Sequence, residues 1–275
     1  MKVELQGVPE TLLWNLYHRA AEARRPDSLL QDPRAVELVD TIDFPFLDRF
    51  GPAGFGQWQA LRALRFDAAV RAFLARHPHG SVVALGEGLE TQFWRVDNGT
   101  VRWLTVELPE IVALRRALLP CDGPRLSLFG CSALDPSWMD HADPSRGLLL
   151  TAQGLLMYFQ PSEVHLLIAA CAGRFPGASL ILDGVPPWFS RRTLGGGIQT
   201  SQGYRTPPMP WGLDSAEMRV LRQLHPRILD VRRLPPARGR GFFFGALAPL
   251  LQRTPGLRNL PFAGLPAVEI RFRPA

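Results

Sequence analysis

From Ser81 onward the chain alternates short β-type runs with helical spacers, and this rhythm constrains the fold more than any other feature. "SVVAL", "VRWLTV", "RLSLF", "GLLLTA" and "ASLILDG" are separated by segments such as "PEIVALRRALL" and "PSEVHLLIAACAGRF". Near-continuous apolar runs suit strands covered on both faces. Helical crossovers between them predict an α/β protein with an open, mostly parallel sheet and helices on both sides. Ligands of such sheets sit beyond the carboxyl ends of the strands. Residues 1–78 read instead as a helical cap. "PETLLWNLYHRAAEARR" sets Leu12, Leu13, Leu16, Tyr17 and Ala20 on one face, Asp32 and Pro33 open a second helix, and "QWQALRALRFDAAVRAFLARH" follows the glycine-rich break "FGPAGFG". Residues 79–275 form the expected core. Within it, the proline- and glycine-rich stretch at about 185–213 is too long for an ordinary connection and predicts a lid. "RILDVRRL" and "PAVEIRFRP" are expected to close the sheet as an antiparallel hairpin at its edge.

The first strand runs into "LGEGLET". Gly86 and Gly88 allow a backbone to approach a ligand closely, but Thr91 stands where a dinucleotide-binding turn carries its third glycine. The second strand ends on Glu107, about twenty residues past the turn, where an acid can accept hydrogen bonds from both ribose hydroxyls. The same position also suits a cap for the helix starting at Pro109. Glu87 and Glu90 in the turn would repel a diphosphate and suit a cationic ligand. A nucleoside with a positive centre and an amino-acid end fits this pattern, and S-adenosylmethionine is such a ligand.

Composition narrows the alternatives. Hydrophobic residues make up 46% of 275, enough for a substantial core. No apolar run approaches the roughly 18–20 residues of a membrane span, and "MKVELQGVPET" lacks a signal-peptide pattern, so a cytoplasmic protein with no membrane partner is expected. Cys121, Cys131 and Cys171 form no CxxC pair and lie near no histidine cluster, which predicts no metal site. The net charge of +6 is carried almost wholly by arginine. These arginines are scattered as pairs, and no nucleic-acid partner is expected.

The segment "VVALGEGLETQFWRVDNGTVRWLTVELPEIVALRR" resembles the motif of the leucine carboxyl methyltransferase family, which includes O-methyltransferases of aromatic polyketide biosynthesis of the tetracenomycin type. The resemblance continues through "YHRAAEARRPDSLLQDPRAVELV", "RALRFDAAVRAFL", "SALDPSWM", "LLLTAQGLLMYFQPSEV" and "PPMPWGL". It implies a Rossmann-like class I methyltransferase fold with a seven-stranded, mostly parallel sheet. The implied cofactor is S-adenosylmethionine, released as S-adenosylhomocysteine, with no metal. By the same resemblance Arg62 pairs with the methionyl carboxylate, with Arg65 the alternative one helical turn away. Gly86 and Gly88 approach the methionyl part, and Glu107 takes the ribose. Ser132 and Ala133 frame adenine, although relatives often have Asp-Leu there. Gln153 stands where many relatives have Glu, and a neutral amide can still hydrogen-bond the cofactor's ammonium. Arg95 is expected to tie Glu90 or Glu107 structurally.

Methyl transfer from a sulfonium is an in-line displacement that rests on positioning and water exclusion. A carboxylate acceptor needs no base, whereas a phenol or alcohol must lose a proton. His18 and Tyr158 are the candidate catalytic residues, His18 because the family's N-terminal helices help cover the acceptor and Tyr158 from the "TAQGLLMYF" motif. Trp14, Tyr17, Trp188, Phe189, Tyr204, Met209 and Trp211 are candidates for an aromatic wall, and Arg19, Arg191, Arg192 and Arg205 for steering an anion. The expected activity is O-methylation of a carboxyl or hydroxyl on a small, polyketide-like acceptor by a monomer or homodimer. The alternatives are a protein C-terminal carboxyl as acceptor, or a non-catalytic binder of the cofactor.

Overall fold

The computed structural model describes all residues except 4, 6, 122, 198, 200, 201, 255, 256 and 258–264. Its centre is a seven-stranded sheet in the order β3-β2-β1-β4-β5-β7-β6. β1 (Ser81–Leu85), β2 (Arg102–Glu107), β3 (Leu126–Gly130), β4 (Leu148–Ala152) and β5 (Ser179–Asp183) are parallel. They coincide with the five apolar runs of the sequence. β7 (Ala267–Phe272) enters antiparallel between β5 and β6 (Ile228–Arg233), so the last two strands do pair, with β7 inside the sheet and β6 at that edge. Their link is 33 residues long, not a tight turn.

Helices cover both faces. On one side β1, β2, β4 and β5 pack with α7 (Pro161–Arg174) around Trp138, Ile168 and Phe175. On the other, α1 (Glu10–Ala23), α2 (Pro33–Thr41), α3 (Phe46–Phe50) and α4 (Gly56–Arg76) share a core with Val82, Ala84, Leu149 and Ile181. The N-terminal helices are thus a layer of the same molecule and reach the sheet directly. Leu13, Leu16 and Ala20 are fully buried on α1, as its apolar periodicity predicts. Asp32 caps α2, its Oδ1 accepting from Ala35 N at 3.1 Å, as the Asp-Pro start predicts. α5 (Gln92–Val96) and α6 (Pro109–Leu118) follow the turns after β1 and β2. Among the described residues no helix is long and apolar enough to cross a membrane.

The segment expected to form a lid contains α8 (Pro187–Leu194), and its ends meet where Leu213 N donates to Val185 O at 2.7 Å. Ser190 Oγ donates to Met209 O and Thr193 Oγ1 accepts from Met209 N, which fold the lid onto itself. Tyr204 packs edge-on against Phe50, bringing the lid to α3. Positions 198, 200 and 201 of the expected lid lie outside the described residues. α9 (Ser215–Leu221) and α10 (Ala248–Arg253) complete the chain's helices among those described.

Candidate active site

The turn after β1 and the acid ending β2 meet. Gly86 and Gly88 have φ of 58° and 54°, a region a side chain rarely adopts. Added Cβ atoms would also strike Leu155 and Leu12. Leu12 belongs to α1, so the cap closes directly over the turn. Glu107 Oε1 accepts from Gly88 N at 2.8 Å, and its Oε2 accepts from Leu108 N at 2.9 Å. The acid therefore fixes the turn, but it does not cap the following helix as its position also suggested: α6 has no side-chain cap, and Leu108 N lies ahead of its first turn. Burial raises its pKa, while these two N–H groups pull the other way.

The two turn carboxylates do not supply the bare negative charge expected of them. Glu87 pairs with the buried Arg115 and accepts from Trp103 Nε1 at 3.0 Å; burial nevertheless raises its pKa. Glu90 lies between Arg19 (3.0 Å) and Arg95 (2.7 Å). Burial would raise its pKa, but the two guanidiniums outweigh it and hold the group down at about 2. Arg95 also binds Asp67 at 2.8 Å and Asp32 at 2.9 Å, and Arg19 binds Asp32 at 2.9 Å. Arg95 thus ties Glu90, as expected, but not Glu107. Arg19 is a buried structural cation and not a surface charge for steering an anion. The sequence argument against diphosphates fails here because the acids are already compensated.

A cavity of about 40 Å³ adjoins the turn, lined by Gly86, Glu87, Glu90, Arg62 and Gln153 among others. Gln153 Nε2 donates to Glu90 Oε2 at 3.0 Å, while its buried Oε1 has no partner. Arg62 makes a two-pronged pair with Asp183 at the end of β5, through Nε at 2.5 Å and Nη2 at 3.3 Å. Asp183 also accepts from Gly154 N at 2.7 Å. Burial opposes the charge on Arg62, but Asp183 outweighs it and raises the guanidinium pKa. Arg65 is spent elsewhere, donating to the carbonyls of Pro235, Leu265 and Leu234, which removes it as the alternative. Ser132 and Ala133 follow β3 as expected. Ser132 Oγ accepts from Leu134 N and the Ala133 carbonyl accepts from Trp138 Nε1, so both have local structural work.

A second cavity, of about 280 Å³, lies under the lid and adjoins the first, since Thr11, Asn15, Gln59, Arg62 and Gly154 line both. Its walls are Trp14, Phe55, Trp58, Tyr158, Trp188, Phe189, Tyr204 and Met209. Tyr17 and Trp211 are not among them. Tyr17 stacks on Phe46 and donates to Gly51 O, and Trp211 is buried with its Nε1 donating to Glu217. Tyr158 lines the cavity as expected, and burial raises its pKa. His18 does not line it. Its ring is buried behind Trp14 and Phe55, at 4.3 and 5.6 Å between centroids, and neither nitrogen has a hydrogen-bond partner. Burial lowers its pKa to about 4, against a small opposing effect of the Ala53 main chain. The sequence reading missed Asp183, Asp67, Arg115, Phe55 and Trp58. Asp183 alone had a legible signal, an acid at the carboxyl end of a strand.

Strand order, helical layers and a glycine turn with an acid-ended second strand define the class I methyltransferase fold. A Thermobifida fusca YX protein assigned as a methyltransferase shares it over 97% of this chain and 95% of its own, with a TM-score of 0.56 at 18% identity. The apo form of the S-adenosylmethionine-dependent methyltransferase SibL superimposes with a TM-score of 0.51, at 12% identity over 97% of this chain and 76% of that one. Residues 13–172 match the sequence model for leucine carboxyl methyltransferase. The tetracenomycin polyketide synthesis O-methyltransferase TcmP of Streptomyces glaucescens is 32% identical over 191 residues, 69% of this chain and 70% of that protein. The S-adenosyl-L-methionine-dependent methyltransferase dpfgK of Gibberella zeae is 28% identical over 63% of each chain, slightly under two thirds of its length. The chain belongs to the leucine carboxyl methyltransferase family, whose members transfer methyl groups from S-adenosylmethionine.

Proposed function

We propose that the protein methylates an oxygen of a flat, apolar small molecule, polyketide-like in shape, held in the aromatic cavity. The observation that carries this is the junction: the acceptor cavity and the turn-side cavity share five residues, so a methyl donor in one faces an acceptor in the other. The residues fit S-adenosylmethionine. Gln153 Oε1 is a buried acceptor in want of a donor, which an ammonium would supply, and Arg62 is a cation beside it for the carboxylate. Gly86 and Gly88 cradle the methionyl chain, Glu107 keeps lone pairs for the ribose hydroxyls, and Ser132 and Ala133 border the adenine. When bound, the cofactor supplies an electrophilic methyl group on sulfur.

Arg62 holds the donor's carboxylate while Asp183 fixes the guanidinium plane. The aromatic walls exclude water and hold the acceptor ring flat. No histidine, aspartate or glutamate lines the acceptor cavity among the described residues. A carboxylate or an acidic phenol, ionised before it arrives, therefore fits better than an alcohol. Tyr158, protonated at neutral pH, donates a hydrogen bond and does not act as base. His18 stays neutral behind the wall.

Calorimetry with S-adenosylmethionine tests the first half. Wild type should bind, and Glu107→Ala should bind at least about tenfold more weakly, the loss of two ribose hydrogen bonds. Release of S-adenosylhomocysteine across a panel of aromatic acids, phenols and alcohols tests the second. Turnover of alcohols alone would refute the acceptor class.

A further inference from the structure

The link between β6 and β7 departs from the rest of the surface. Residues 234–266 contain no aspartate or glutamate, four arginines and the run Phe242-Phe243-Phe244. Residues 241–253 form a continuous helical segment with a π-helical turn at Phe243–Leu247. Its inner face is apolar: Phe244 packs edge-on against Trp58, and Ala248 is buried. Its outer face is apolar too. Phe242 is 80% exposed, Leu250 is 60% exposed, and Ala246 between them is also exposed, a spacing of i, i+4, i+8 that sets them in one stripe. Arg238 precedes the helical segment, Arg253 ends it, and both are exposed. Glu22 and Asp27, which meet this segment at Arg240, are matched by Arg240 and Arg25, and Asp183, which lines a cavity with Phe244 and Ala248, is matched by Arg62.

We propose that this helical face docks the protein on an anionic lipid surface, with Phe242 and Leu250 entering the acyl boundary and Arg238 and Arg253 meeting the headgroups. The sequence led to an expectation of no membrane partner because it has no spanning run, but an interfacial helix needs only an apolar stripe with basic flanks. Charge selects the occupant. A segment without acids on a chain of net charge +6 is complementary to anionic headgroups, whereas a second copy would bring arginine against arginine. The placement is useful to an enzyme with an apolar acceptor. Gln57 Oε1 accepts from Arg240 N at 2.9 Å, which ties this segment to the start of α4, two residues from Phe55 at the acceptor cavity.

The test is co-sedimentation of the full chain with phosphatidylcholine vesicles, with and without phosphatidylglycerol, at low and high salt. It needs no acceptor and is independent of the methyl-transfer reading. The wild type should sediment with the phosphatidylglycerol vesicles, release as salt rises, and stay in solution with phosphatidylcholine alone. The Phe242→Ser/Leu250→Ser variant should bind at least about tenfold more weakly. Both side chains are exposed, and an unchanged far-UV melting curve would show that its fold survives. Arg238→Gln/Arg253→Gln should lose the salt dependence first. Equal binding to both vesicle types, or undiminished binding by the serine variant, overturns the proposal. So does a lipid-free dimer of the wild type that the serine variant abolishes, which would make this face an interface between copies.

Discussion

His18 illustrates how much a single residue's meaning depends on what surrounds it. A histidine on an N-terminal helix facing a substrate cavity would be a base near neutral pH, but this ring is sealed among Trp14, Tyr17 and Phe55 and held neutral. Its pKa of about 4 in the fold lies below the 6.5 of an unstructured histidine. Between those values the unfolded chain takes up a proton that the folded chain refuses, so stability falls as pH drops through that window and is intact above it. At pH 5 the loss is about 2 kcal/mol. His18→Leu should therefore flatten the acid limb of stability, measured by urea denaturation at pH 5 and pH 8, and leave cofactor affinity unchanged. Glu107 is the opposite case. Its place at the end of an apolar strand was legible, because that depends on a few neighbouring positions, whereas the helix cap that the same position suits does not form.

At the scale of elements, the buried charges determine how the cap meets the sheet. Arg19 on α1, Asp32 before α2, Asp67 on α4, and Glu90 and Arg95 around the turn join four separate stretches of chain. Three carboxylates face two guanidiniums, and Thr91, Gln92 and Gln153 supply further hydrogen bonds. Removing one charge strands its partners in a low-dielectric interior. Arg95→Leu should cost about 3–5 kcal/mol in urea denaturation, and adding Asp67→Leu should recover part of that loss, a coupling that a double-mutant cycle reads directly. Of this, only the tie between Arg95 and Glu90 was expected from the sequence. "DPRAVE", "ALRFD" and "LETQFWR" each look like ordinary helix starts or solvated helix faces, and their charges become partners only once α1, α2 and α4 converge on the turn.

At the scale of the whole molecule, the acceptor cavity belongs to no single region. Trp14, Phe55 and Trp58 come from the N-terminal layer, Tyr158 from the loop after β4, and Trp188, Phe189, Tyr204 and Met209 from the lid. Phe55 sits between Gly54 and Gly56 and is more than half exposed, so its loss should spare the fold. Phe55→Ala should raise the acceptor KM several-fold with kcat nearly unchanged, because it removes binding that ground and transition states share. Steady-state kinetics with S-adenosylmethionine saturating would measure it, and a fall in kcat at constant KM would contradict this role.

Sequence alone determined the sheet's five parallel strands, the helical layer before them, the glycine turn and the acid opposite it. These follow from local periodicity, from backbone freedom at Gly86 and Gly88, and from residues a fixed distance apart on adjacent strands. Only the tertiary structure decided that Arg62 lies against Asp183 and that Arg65 is used up on carbonyls. It also decided that Glu87 and Glu90 are paired with buried arginines and that Tyr17 and Trp211 do not line the cavity. The physical reason is range: periodicity and turn chemistry act over a few residues, while charge pairing and cavity lining depend on which distant side chains the packed layers bring within contact.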